Sequence, residues 1–117
     1  MTAPHRISIE FPEERMSAVL AVTQLGERLY RIDEIPFLTE RVGFRDVVEV
    51  EPIRAGAVRF CRVAEPSGWR LYQFLLNESA IASPSVRAVM DRVTELGGRW
   101  ERVMGGLLLL VLPPGIV

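Results

Sequence analysis

Turn signals recur so often along the first two-thirds of this chain that no long element fits between them. Pro12, Gly26-Glu27, Pro36, Gly43, Pro52, Gly56 and the run Glu65-Pro66-Ser67-Gly68 cut the sequence into pieces of about ten residues, the spacing of short strands. The pieces alternate apolar and polar side chains, as half-buried strands do. Residues 6–11 alternate and stop at Pro12, which predicts a short edge strand. Residues 16–25 and 28–35 flank Gly26-Glu27 and read as a hairpin. Residues 46–51 hold Val48 and Val50 on one face with Glu49 and Glu51 on the other, and Pro52 is expected to close that strand. Residues 57–64 and 69–76 complete the series. In the loop between, Phe37, Leu38 and Phe44 are expected to tuck under the sheet. The pattern predicts a small curled β-sheet or partial barrel.

The last third has a different texture. Ser83 suits an N-cap, Pro84 suits the first helical position, and Val86, Val89, Met90, Val93 and Leu96 follow at helical spacing. Gly97 supplies a stop, so the main helix spans about residues 84–96. Beyond it, residues 98–104 and 107–112 flank Gly105-Gly106, a two-residue hairpin signal. The final strand, Leu-Leu-Leu-Leu-Val-Leu, lacks polar alternation and needs cover on both sides. A βαββ unit meets that need if residues 69–76, the helix and residues 99–104 leave a gap that the last strand fills antiparallel to both neighbours. The fold class is α+β, and residues 1–117 are expected to form a single domain with one core.

Composition removes whole classes of chemistry. All 14 basic residues are arginine, against 15 acidic ones, and there is one histidine and one cysteine. Without lysine there is no Schiff base and no Walker-type phosphate loop. A zinc site and a disulfide lack their ligands and their second thiol. No cofactor or metal is therefore expected. The net charge of −1 argues against a general nucleic-acid binder. The apolar run at residues 107–112 is too short to cross a bilayer, and no export signal stands out, so a cytoplasmic chain is expected.

Few groups remain for catalysis. His5 lies in an end expected to fray, and Cys61 lies within a strand where only Arg59 shares its side. Asp46 and Glu49 are the carboxylates an enzyme would use, but a solvated strand face is the simpler account of them. Aromatics with flanking arginines could stack single-stranded bases. The same residue types dominate protein interfaces, which singles out Trp69, Arg70, Trp100 and Arg102.

The stretch Tyr30-Arg31-Ile32-Asp33-Glu34-Ile35-Pro36-Phe37, followed by Asp46-Val47-Val48-Glu49-Val50, resembles an uncharacterised bacterial family, domain of unknown function 4265. Ser67-Gly68 and Leu96-Gly97 through Glu101 fall in the family's order, so the resemblance spans about residues 16–113. The chain departs from the pattern at Glu34, where the family has asparagine, at Arg45, where it has glycine, and at Trp69, where a histidine often stands. The resemblance implies no activity. Its residues suit architectural work: Asp33 bonding nearby backbone, Pro36 fixing a bend, Phe37 plugging the barrel and Asp46 capping the turn before its strand. Alternatively Asp33, Glu34, Asp46 and Glu49 are acidic groups for a partner.

Taken together, the sequence predicts a non-enzymatic module that binds another protein, such as a small immunity-type inhibitor of a toxin or enzyme, with a homodimer as a further option. The alternative is a single-stranded nucleic-acid or small-ligand binder using the aromatic and arginine face of the sheet. An enzyme using Asp46 and Glu49 ranks third.

Overall fold

The structure, a computed structural model, describes residues 4–116. It divides between Ser67 and Gly68 into two compact units. In the first, β1 (Pro4–Phe11), β2 (Met16–Gly26), β3 (Leu29–Ile32), β4 (Val47–Arg54) and β5 (Ala57–Glu65) pair antiparallel in sequence order, and β1 also pairs parallel with β5. The sheet therefore closes into a barrel. This corrects the small curled sheet or partial barrel, and it corrects the edge position of residues 6–11, since β1 has a neighbour on each side. Nor is His5 at a frayed end: it pairs with Val22, and its ring meets Tyr30 edge-on at 5.9 Å.

Alternation explains the barrel's core. Ile7, Ile9 and Phe11 of β1, Leu20 and Val22 of β2, Tyr30 and Ile32 of β3, Val48 and Val50 of β4, and Val58 of β5 are buried together. Because the side-chain period of a strand is two, the residues between them face outward. Phe60 packs on Phe11 with ring centroids 5.4 Å apart. Phe37 is only half-buried and does not plug the barrel, and Leu38 is exposed; of the three loop residues expected under the sheet, Phe44 is the one that is buried.

Several boundaries shift for local reasons. Leu25 bulges out of register, so Gly26 pairs with Leu29 and the turn becomes Glu27-Arg28. Strand β4 runs through Pro52 instead of ending there: Pro52 pairs with Val58, and the register breaks just beyond it, before Arg54, the kind of irregularity at which a strand tolerates proline. Strand β3 stops at Ile32, three residues earlier than expected, and releases the loop of residues 33–46.

The second unit contains β6 (Arg70–Leu75), α1 (Glu78–Ile81), α2 (Pro84–Glu95), β7 (Arg99–Val103) and β8 (Leu107–Leu112). The sheet order is β6-β8-β7, with the all-apolar strand in the middle and antiparallel to both neighbours. Alternate leucines of β8, Leu108, Leu110 and Leu112, meet Ile81, Val86, Met90 and Val93 from the helices. Ser83 caps α2 by accepting the N–H of Val86 at 3.3 Å. The short α1, capped by Asn77, had no clear signal because it lasts a single turn. The β7–β8 connection has three residues instead of two, Met104-Gly105-Gly106, with Met104 at φ 49°. Gly106 is obligatory, since a Cβ there would lie 2.4 Å from the carbonyl oxygen of Leu76. No helix among the described residues is long and apolar enough to cross a membrane.

Candidate functional site

Eight residues stand out from the sequence as partner-binding candidates, and in the barrel unit all four of them have internal work. Asp46 precedes β4. One carboxylate oxygen accepts the backbone N–H of Gly43 at 2.7 Å, and the other accepts the N–H of Ser67 at 2.8 Å. The Ser67 hydroxyl in turn donates to the carbonyl of Phe44 at 2.6 Å. Asp46 thus holds the end of the 33–46 loop to the end of β5, as well as capping its own turn. Two backbone N–H groups that lie outside the strand ladders find their acceptor in this one carboxylate.

Asp33 sits at the other end of that loop. Its Oδ1 accepts from Arg31 Nε at 2.7 Å and from the Arg45 guanidinium at 3.2 Å, while its Oδ2 accepts the Thr23 hydroxyl. Arg31 also donates to the Thr23 oxygen at 3.3 Å. Partial burial pushes the Asp33 carboxyl up, but hydrogen bonds from Arg31 and Thr23 and the two guanidinium charges outweigh it and hold the group below the usual carboxylate value. Its expected partners were nearby backbone groups; the structure gives it side chains instead.

Arg45 stands at φ 69°, in the left-handed region. Glycine would reach this conformation without steric cost. Here the arginine is held there by its N–H on the carbonyl of Ile32 at 2.8 Å, by Asp33 and by stacking 5.1 Å over Phe44.

The remaining acids are similarly engaged. Glu34 accepts the N–H of Ala21 at 2.6 Å and pairs with Arg6 at 3.1 Å. Glu49 pairs with Arg62 at 2.6 Å across the β4–β5 ladder, and Glu51 with Arg59 at 3.8 Å. Asp46 and Glu49 therefore serve separate partners, one on backbone and one on an arginine. Cys61 is exposed on β5, and slight desolvation together with the charges of Glu51 and Glu49 pushes its thiol pKa up, the wrong direction for a nucleophile. The cleft beside it, between Phe11, Phe60, Arg41 and Glu13, holds about 210 Å³. That is below the size of an ordinary small-molecule site. Among the described residues no three His, Cys, Asp or Glu side chains gather where they could hold a metal.

In the second unit the candidates lie on the sheet. Register places Arg70, Tyr72 and Phe74 of β6 and Trp100 and Arg102 of β7 on the face of β8 that carries Leu108, Leu110 and Leu112. The helices lie on that face over β8 and leave its flanks open, so Tyr72, Phe74 and Trp100 are exposed. Arg102 turns its Nε onto the carbonyl of Gly105 at 2.6 Å. Trp69 is half-buried just before β6. Sequence reasoning missed three exposed apolar residues of the same unit: Leu71 and Leu75, which alternate to the other face of β6, and Met104 in the β7–β8 connection; Leu75 is 84% exposed and Met104 78%. The available signal was the absence of any charge from Leu71 to Leu76.

Comparison with known proteins adds a family and a fold. A family profile described as "Domain of unknown function (DUF4265)" matches residues 18–115. No curated protein matches the chain. Among solved structures, the chain is similar to a hypothetical protein from Neisseria gonorrhoeae, described as a novel crystal structure, with a TM-score of 0.72 and 16% identity. The match covers 97% of this chain and 78% of that one. Likeness at that identity concerns the fold alone.

Proposed function

The chain belongs to the DUF4265 family, a membership that brings no activity with it, and we propose on the geometry of this chain that it is a non-enzymatic module that binds another protein. One contrast carries the reading. In the barrel, Asp33, Glu34, Asp46 and Glu49 are tied to arginines and backbone, so little is left for proton transfer or nucleophilic attack. In the second unit, Tyr72, Phe74, Leu75, Trp100 and Met104 are exposed. Large apolar side chains left exposed on the strands and turn of one small sheet are costly to leave in water and are the usual material of interfaces.

The nucleic-acid alternative fits this surface less well. Stacking of successive bases needs a continuous aromatic platform, and the helices over β8 lie between Tyr72 and Phe74 on one side and Trp100 on the other. Labelled oligonucleotides are expected to show no steep salt-dependent binding, measured by anisotropy.

Trp100→Ala combined with Met104→Ala is the direct test. Both side chains are exposed, so circular dichroism should stay native while capture of a partner from the source cell is lost. An inhibitor of the immunity type would be recovered in stoichiometric complex with its target. Capture unaffected by these substitutions, or a turnover that Asp46→Ala abolishes in a folded variant, would overturn the reading.

A further inference from the structure

The two outer strands of the three-stranded sheet are defended unequally. β7 carries Arg99, Glu101 and Arg102 among its five residues, the charged pattern that discourages pairing with another strand. β6 is Arg-Leu-Tyr-Gln-Phe-Leu: all six residues are exposed, the register against β8 is unbroken, and after Arg70 there is neither charge nor proline. Its outer edge pairs with no strand among the described residues.

The direction of its free backbone groups is fixed. Leu76 N–H donates to the carbonyl of Gly106 at 2.8 Å, toward the β8 side. By the alternation of an antiparallel ladder, Phe74 and Tyr72 also turn their backbone toward β8, and Leu75, Gln73 and Leu71 turn theirs outward. A second copy related by a two-fold axis normal to the sheet keeps each face on its own side, so residues can pair only with residues of the same face. Centring the axis on Gln73 sets Leu71 against Leu75 of the second copy, Tyr72 against Phe74, and Gln73 against Gln73. Leucine meets leucine, aromatic meets aromatic and amide meets amide. All the outward backbone groups then find partners in the same register. Centring on Tyr72 instead would oppose Leu71 to Gln73 and Arg70 to Phe74, mixing polar with apolar.

We propose that the protein is a homodimer in which β6 pairs antiparallel with β6 of a second copy about Gln73, joining the two sheets into one. The proposal deepens the protein-binding reading and rests on it, since it assigns one edge of the second unit to self-association. Such an interface is isologous, and its centre is where a like pair meets.

The test uses charge at that centre. Gln73→Lys and Gln73→Glu each place like charges across the axis, while an equimolar mixture places opposite ones. Sedimentation equilibrium of the full chain should show a dimer whose dissociation constant rises by about tenfold or more in either variant alone and recovers in the mixture. Leu75→Lys, at a site 84% exposed, should weaken the dimer too and guards against misfolding of the Gln73 variants. A wild-type chain that stays monomeric at every concentration, or a dimer indifferent to all these changes, would overturn the proposal. A monomer whose partner capture is still lost on Trp100→Ala overturns the dimer and spares the protein-binding reading. A Gln73-dependent dimer that captures no other protein does the opposite.

Discussion

The barrel and the three-stranded sheet solve the problem of unpaired strand edges in opposite ways. The barrel closes β1 on β5, so every strand has two neighbours, and its polar side chains are spent on fixing the one long loop. The sheet of the second unit keeps two edges, one charged and one apolar. Closure removes the opportunity for association along with the liability, so function is expected where closure is missing.

The comparison breaks first at the core. Phe11→Ala should cost about 3–5 kcal/mol, because a fully buried ring that packs on Phe60 leaves a cavity the barrel cannot collapse. Leu75→Ser, of similar apolar loss on the open edge, should change stability by under about 0.5 kcal/mol. Chemical denaturation of the two variants measures both. Equal costs at concentrations where the chain is monomeric would mean that β6 is covered within the chain.

Asp46→Ala comes next. It orphans the N–H groups of Gly43 and Ser67 and is expected to cost about 2–3 kcal/mol. Proteolysis should then cut within residues 33–46 first, since that loop loses its tie to β5. Cleavage elsewhere would show that Asp46 is not what holds the loop.

Much of this was legible in advance, for reasons that differ by element. Val48 and Val50 announced an inward face through plain alternation, and the Ser83-Pro84 pair announced α2. The apolar β8 required two neighbours, and that requirement located it in the sheet. Closure was not legible, because the β1–β5 pairing joins strands far apart in sequence and leaves no local mark. The work of Asp33 was hidden similarly. Thr23 and Arg45 lie ten and twelve residues away in sequence, and only the folded loop brings them to one carboxylate. The exposure of Tyr72 and Phe74 left no mark in the sequence, because aromatics on a strand suit a core and an open edge alike.

Asp33 sharpens the contrast through pH. Its carboxyl ionises below the usual value in the folded chain, so the unfolded chain binds more protons in between. The stabilisation is complete above the ordinary carboxylate pKa and is lost as pH falls through the folded value. Asp33→Asn should lower stability by about 1–2 kcal/mol at neutral pH. It should also flatten the acid limb of a melting-temperature profile taken from pH 6 to pH 2. An acid limb unchanged by the substitution would place the acid sensitivity in other carboxylates.

The smallest effect belongs to Arg45, where two terms oppose each other. Left-handed backbone costs a side chain about 1 kcal/mol, and Arg45→Gly removes that cost. The same change removes the half-exposed pair with Asp33, worth about 0–1 kcal/mol, and frees an unfolded chain that glycine makes more disordered. The net change should lie within about 0.5 kcal/mol of zero. The pH profile separates the two terms: losing one of its two guanidiniums should raise the folded pKa of Asp33 toward the ordinary value, so that the acid limb becomes shallower and its low-pH end moves up. A clear destabilisation at neutral pH with the acid limb in place would mean that Arg45 acts through Phe44, by the stacking contact, and contributes little through its charge.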